Sequence, residues 1–358
     1  MAEQETVALV RELSQAFGPS GFEDEVAAIG RREGEKLGEV REDSLRNLYI
    51  YRRENTGEKP VVLLDAHSDE VGMMVQYVHE NGLLQFVPLG GWSPGSFAGH
   101  AVRVRNREGQ YIRGVIASVP PHFMKAADKG RMPEISDYRI DVGASSAREV
   151  EERLHIGVAA PVVPETAFHF DEERGLFSGK AFDCRVGCAA VLETLRRLQG
   201  ETLDVDVVGS FSSQEEVGER GARAVAHTVK PAVALVFEGA PADDTFTPSY
   251  AIQTALGKGP MLRHFDRCMI THPRLIRHAL QVGYSHGIPV QEAVRTGGGT
   301  DGGIFHLQEG GAPSVVIGQP VRYIHAPYGI ASAQDFENGV RLAVELVKSL
   351  TRKVLAGL

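Results

Sequence analysis

The sequence is poor in cysteine, with three in 358 residues, and it has a single tryptophan. Cys184, Cys188 and Cys268 are odd in number and lack the paired spacing of a zinc knuckle, so neither a disulfide framework nor a thiolate cage is expected. No stretch approaches the ~18 consecutive apolar residues of a membrane span. The opening MAEQETVALVRELSQAF lacks the basic-then-apolar order of a secretory leader. Positive charge is not in excess either: the net charge is −9 and the pI is near 5.8. Nucleic acid and anionic membrane are therefore excluded as main partners, because both select for clustered Lys and Arg. There is no internal repeat or low-complexity tract. A soluble, cytoplasmic protein with a small or peptidic partner is expected.

Four short runs rich in Val, Leu and Ile stand out: PVVLLDAH (60–67), LDVDVVGSF (203–211), AVALVFEG (232–239) and PSVVIGQP (313–320). Such runs suit central strands covered on both faces. Helical spacing appears in DCRVGCAAVLETLRRLQG, where Cys188, Val191, Leu195 and Leu198 share a stripe. It recurs in SAQDFENGVRLAVELVKSL, where Phe336, Val340, Ala343, Val347 and Leu350 do so behind the N-terminal signal of Ser332 and Asp335. These pieces predict an α/β fold, a mostly parallel central sheet sandwiched by helices. The middle is different. AVRVRNREGQYIRGVIAS reads as a hairpin turning at NREG, and LGGWSPGS and SVPPHF add Gly and Pro punctuation. A small all-β domain over 74–164 is expected, inserted between catalytic portions 1–73 and 165–358. Within it, MKAADKGRMPEISDYR (124–139) reads as a mobile loop, and Trp92 as packing.

Three of the four apolar runs finish in polar, metal-type residues. His67, Asp69 and Glu70 follow the first, Glu215 and Glu216 the second, and Glu238 nearly ends the third. The fourth leads within a few residues to His325, and Asp183 opens the helix before the second run. In open parallel sheets the C-terminal strand edge is the binding crevice. Asp183, Glu216 and Glu238 would bring three negative charges and His67 and His325 two neutral nitrogens, a set suited to two divalent cations of the zinc, cobalt or manganese kind rather than calcium. Without cations the clustered carboxylates would raise one another's pKa. Asp69 is spaced to orient His67. The side chains of neighbouring Glu215 and Glu216 diverge, so one can ligate while the other handles protons. Taken singly, each residue has a plainer account: a structural or surface histidine, a solvated acid pair, Asp183 as a helix cap, Glu238 as a loop carboxylate. TGGGTDGG (296–303) lacks the lysine of a P-loop and reads as a substrate-lining turn.

The ordered motifs AHSDEVG, FDCRVG, QEEVGERGA, EGAPADD, GGTDGG and RYIHAP resemble those of metallopeptidase family forty-two, the TET-type aminopeptidases, some of them labelled endoglucanase-like. The resemblance runs from FGPSGFEDEV to the last helix. It implies a phosphorylase-like catalytic domain, a dimerising β-domain, and dimers that build a tetrahedral dodecamer. It further implies that His67 and Glu238 hold one metal, Glu216 and His325 the other, and that Asp183 bridges them. Glu215 would be the general base of a dinuclear, metal-activated water, with Asp69 behind His67. The substrates implied are short peptides with free N-termini, and the metals zinc or cobalt, two per subunit. Cys184 departs from the family's usual acid or amide, Arg46 from a common Gly, and Tyr328 and Gly329 from the usual ending of the histidine motif. An N-acyl amino-acid deacylase of the same clan and a catalytically silent structural shell are the alternatives; a glycoside hydrolase would leave the histidines without a role. Asp243 and Asp244 hint at a taste for basic or small N-terminal residues.

Overall fold

The computed structural model describes residues 2–124 and 133–358. Helices α1 (Ala2–Gln15) and α2 (Asp24–Gly34) lead into strands β1 (Gly38–Glu42), β2 (Leu48–Arg52) and β3 (Val61–His67). The chain then leaves for β4 (Gly72–Val78), β5 (Leu84–Leu89), β6 (Ala101–Arg105), β7 (Tyr111–Ala117) and β8 (Arg139–Asp141), followed by the short helix α3 (Ala147–Glu152) and β9 (Pro161–Pro164). It returns through β10 (His169–Asp171) and β11 (Leu176–Gly179) to α4 (Phe182–Arg197), β12 (Asp206–Ser212), α5 (Arg220–Val229) and β13 (Val233–Pro241). The last third is β14 (Met261–Phe265), α6 (Pro273–Ser285), β15 (Gln291–Val294), α7 (Gly302–Phe305), β16 (Ser314–Arg322), β17 (Gly329–Ser332), α8 (Ala333–Ser349) and α9 (Arg352–Leu355). No described helix is long and apolar enough to cross a membrane.

The main sheet runs β1-β2-β12-β3-β13-β16-β17-β11-β10, with β14 joined to β16 and β15 to β14. It is mixed rather than mostly parallel. The four apolar runs of the sequence form the parallel centre, β12-β3-β13-β16, while antiparallel strands extend it on both sides. Apolar runs mark only strands buried on both faces, so the half-covered edge strands escaped the pattern. Alternation along each central strand splits its side chains between two cores. Val62, Leu64 and Ala66 of β3 and Val233, Leu235 and Phe237 of β13 meet α1, α4, α6 and α8. Leu63 and the pair Ala234 and Val236 meet α5 and α7 on the opposite face.

Helix α4 is buried almost all round from Phe182 to Leu195, not along the single stripe its spacing suggested. It lies between the sheet and α1 and α8, so Arg185 and Glu193 are enclosed as well. Helix α8 starts where predicted, with the Ser332 hydroxyl accepting from the Asp335 amide. The Asp335 carboxylate accepts from the amides of Gly257 and Gly259, at 2.7 Å each, and so ties that turn to the helix.

Strands β4, β5, β8, β7, β6 and β9 close a barrel, and β6 and β7 are the hairpin read from the sequence. Trp92 packs inside it against Phe97 and donates its indole N–H to the Gly72 carbonyl at 3.0 Å. Of the expected loop 124–139, residues 125–132 lie outside the described residues. Ile135–Asp137 forms a 3-10 turn and Arg139 enters β8, which corrects that part of the loop reading.

The passage from β3 into the barrel is fastened underneath by a buried ion cluster. Glu70 accepts from Lys180 Nζ at 2.5 and 2.7 Å and lies 3.3 Å from Arg185. Arg185 also donates to the carbonyls of Leu13, Ala16 and Gly18. Burial pulls the Lys180 ammonium down to about 8, and Glu70 counteracts it. Removing one member of such a cluster strands the other. Lys180→Met is expected to lower stability by about 3 kcal/mol, and the double variant with Glu70→Leu to recover part of that loss, both read from denaturation midpoints.

Candidate metal centre

Alternation decides which way the strand ends point. His67 continues the face of Leu63 and Asp65, and Glu238 that of Ala234 and Val236, so both side chains emerge on the α5 side. The β3 and β13 ladder pairs Asp65 with Val236. Two residues further along, His67 comes beside Glu238, with Nε2 3.8 Å from Oε1. Opposite Glu238 on the next strand is Gly318, which leaves that side of the carboxylate uncrowded.

Asp183 enters from the start of α4, where its backbone is not yet helical, and the Asp183–Cys184 peptide is cis. Gly239 makes this approach possible, since a Cβ there would meet Asp183 Cα, Cβ and Oδ1, each at 2.8 Å. The two oxygens of Asp183 face different partners: Oδ1 is 3.1 Å from His67 Nε2, and Oδ2 is 3.2 Å from His325 Nε2. His325 follows β16 in a left-handed backbone conformation, as does Tyr323. Its Nε2 lies 3.4 Å from Glu216 Oε2. Two donor groups result among the described residues: His67, Asp183, Cys184 and Glu238, and Asp183, Glu216 and His325, each set of donor atoms within 4.8 Å. The five residues expected as ligands are thus gathered, and Cys184 joins them.

Asp69 sits behind this set in a role the sequence did not suggest. Its Oδ1 is 3.4 Å from His67 Nδ1, and that nitrogen has no hydrogen bond of good geometry. The Asp69 oxygens also accept from the amides of Glu215 at 2.9 Å and Glu216 at 3.2 Å and from the Ser20 hydroxyl at 2.6 Å. Glu23, in the FGPSGFEDEV segment, accepts from the Gln214 amide at 3.2 Å. Three successive amides thus point at two buried carboxylates, and the Glu215–Glu216 turn is held from behind. Nothing in the spacing of Glu23 flagged it. Glu70, grouped with His67 and Asp69 in the sequence, points away into the ion cluster beneath.

The electrostatics are those of an acid cluster short of positive charge. Burial, reinforced by Asp183, pushes the Glu238 carboxyl well above its usual value, and burial does the same to Glu216. Glu215 is pushed up to about 8, by burial first and then by Asp69 and Asp183, against the opposing pull of His67. Burial resists the charged imidazole of His325, yet Asp183 and Glu216 hold it at about 9. His67 is likewise raised against burial by Asp183 and Asp69. Asp183 goes the other way: burial opposes ionisation, but both imidazoles keep it below the normal carboxylate range. These protonated acids and imidazoles occupy the place of missing cationic charge. Buried Glu216 Oε1 has no hydrogen-bond partner among the described residues. Two imidazole nitrogens and three carboxylates, one of them shared, fit a pair of divalent cations.

In front of the cluster lies a cavity of about 410 Å³, large enough for one side chain and the adjoining peptide. Gly297, Gly298 and Gly299 line it, as expected for the glycine-rich turn, together with Glu219, Arg263 and Arg295. The hint from Asp243 and Asp244 is overturned. Asp243 is paired with Arg295 at 3.1 Å and Asp244 with Arg322 at 2.7 Å, so neither offers free negative charge.

Comparison with known proteins places the chain in a family. Residues 47–342 match the family described as M42 glutamyl aminopeptidase. The chain is 31% identical over 349 residues to the glutamyl aminopeptidase of Lactococcus lactis subsp. cremoris, covering 97% of each chain. Its fold matches the crystal structure of a TET aminopeptidase from the marine sediment archaeon Thaumarchaeota archaeon SCGC AB-539-E09, with a TM-score of 0.95, 40% identity and 99% of each chain covered. It also matches the Pyrococcus horikoshii TET1 peptidase, which can assemble into a tetrahedron or a large octahedral shell, with a TM-score of 0.86 and 27% identity over 96% of this chain and 100% of that one.

A pH dependence follows from these shifts. Glu215 moves from 4.5 in the open chain to about 8, and His325 from 6.5 to about 9. In both the folded state binds the proton more tightly, so unfolding releases protons between those limits and stability falls as pH rises. Asp183 has the opposite sign, but its effect lies below its ordinary 3.8. The thermal midpoint of chelator-treated protein is expected to decline from about pH 5 to about pH 9. Added zinc should raise it more at the alkaline end, where it no longer competes with protons.

Proposed function

As a member of the M42 glutamyl aminopeptidase family, the chain is a metal-dependent aminopeptidase, and we propose that it releases N-terminal residues from short peptides at a two-cation centre. The observation that carries this reading is the divided carboxylate of Asp183, one oxygen toward each donor group. His67 and Glu238 would hold one cation, Glu216 and His325 the other, and Asp183 both. Zinc and cobalt suit this nitrogen and oxygen set best. When bound, the metals polarise the peptide carbonyl and make nearby water acidic.

The chain's own residues supply the rest. Glu215 lines the cavity beside the donor groups without belonging to either. It is the residue able to take a proton from water and return it to the departing amine, and the hydrogen bond its backbone amide donates to Asp69 holds the turn that carries it at the cavity. A proton affinity near neutrality suits that task, and the elevation to about 8 would ease once cationic charge neutralises its neighbours. Glu219, which lines the cavity outside both donor groups, would favour a free, positively charged α-amine over an acylated one. That preference separates an aminopeptidase from an N-acyl amino-acid deacylase.

The barrel, 74–164 in the sequence reading, is the natural dimerisation domain. Val115 on β7 and Val119 just after it are about half exposed, and Phe123 is 79% exposed. Dimers would then assemble into a tetrahedral dodecamer of the kind described for the TET1 peptidase.

Zinc- or cobalt-loaded protein is expected to release the first residue from unblocked peptides and to leave N-acetylated ones intact; the reverse preference would establish the deacylase. Glu215→Gln is expected to lower kcat by about 10²- to 10⁴-fold with unchanged metal content. Full activity in that variant would remove Glu215 as the base. Light scattering and electron microscopy should find a particle larger than a dimer, and a stable monomer would end the shell proposal.

A further inference from the structure

The two donor groups are unequal. One has three members and the other four, and the extra member is a thiol. Helix α4 carries two buried cysteines one turn apart, and they provide an internal comparison. Cys188 Sγ donates to the His67 carbonyl at 3.2 Å and belongs to neither group. Cys184 Sγ donates to the Phe237 carbonyl at 3.3 Å, yet it also lies within 4.8 Å of the donor atoms of His67, Asp183 and Glu238. Space for this sulfur is kept by Gly187, where any side chain would overlap Sγ and press on Ala66 and Phe237. The thiol is fully buried, so its alternatives are the carbonyl it now faces or a cation.

We infer that Cys184 is a fourth protein ligand on the His67–Glu238 side, making that position a closed nitrogen, oxygen and sulfur set selective for zinc. The inference rests on the two-cation reading above. On binding, the thiol gives its proton to solvent and the sulfur its electron pair to the metal, while the Phe237 carbonyl loses its S–H donor. The charges then balance: three carboxylates and one thiolate oppose two dications. Four protein ligands, one of them sulfur, describe a retained zinc position, whereas the Asp183, Glu216 and His325 side keeps coordination open for substrate. Softness of the sulfur favours zinc over manganese there.

X-ray absorption at the zinc edge of the full-length, zinc-loaded protein tests it directly. About one sulfur per two zinc ions, at about 2.3 Å, is expected. The sulfur signal should vanish in Cys184→Ser and persist in Cys188→Ser. In a chelator titration, wild type should lose zinc in two steps, with the tighter step weakened roughly tenfold or more in Cys184→Ser. A spectrum of nitrogen and oxygen scatterers only, with two zinc ions bound, would overturn the inference and leave the two-cation reading standing. Failure to bind zinc at all would overturn both. Should Cys184→Ser not fold, the wild-type sulfur count alone decides.

Discussion

The carboxylate of Asp183 is the constraint on which the rest depends. One side chain cannot satisfy two imidazoles from opposite sides unless the backbone carrying it comes within contact distance of a strand, and that approach is open only because residue 239 is glycine. Around this point the fold brings Glu216 and Glu238 into burial with too little positive charge to keep them ionised. Gathering like charges in a low-dielectric space costs several kcal/mol per ion before compensation. A protein that retains such an arrangement retains it for an occupant, and divalent cations are the simplest one that repays all the acids together.

The scaffold supplies that precision by different means on its two sides. His67 and Glu238 ride on neighbouring parallel strands, so a ladder fixes their spacing, and a one-residue slip would turn either toward the other face. Glu215 and Glu216 lie on a loop, where no ladder acts. Their position is set by hydrogen bonds that their backbone amides donate to Asp69, with the preceding amide of Gln214 donating to Glu23. Asp69 and Glu70 are adjacent and work in opposite directions: one holds the Glu215–Glu216 turn, and the other anchors the chain to Lys180 and Arg185 below. The buried ion cluster is therefore part of the site's rigidity, although none of its members reaches the cavity.

Much of this was legible in the sequence because one signal coincided with one cause. A doubly buried strand must be apolar, so its polar terminus stands out, and this marked His67, Glu215, Glu216 and Glu238. The antiparallel edges carried no such contrast, and a mixed sheet was read as mostly parallel. Burial on all sides of α4 was hidden because Arg185 and Glu193 look solvent-facing until their partners are known. Glu23 and Arg295 were missed for the same reason, since each acts through a partner distant in sequence, whereas Arg263 pairs with Asp266 only three residues on. The acids Asp243 and Asp244 misled in reverse, since their charge is consumed by arginines far along the chain.

The barrel shows why the insertion is more than an appendage. Its glycine pair after β5 reaches back to the centre: a Cβ on Gly90 would stand 3.1 Å from Glu216 Oε2, and one on Gly91 would stand 3.3 Å from His325 Nδ1. Both touch the three-member donor group and not the four-member one. The indole of Trp92, next in sequence, is bonded to Gly72 where the barrel begins, so the loop is stitched to the strand that leaves β3. Any shift of the barrel against the main sheet would therefore be felt first at Glu216 and His325, which belong to the donor group with fewer members. The two donor groups thus have different mechanical supports, a parallel ladder for one and an inserted barrel for the other, and the group on the barrel is the one with three members rather than four.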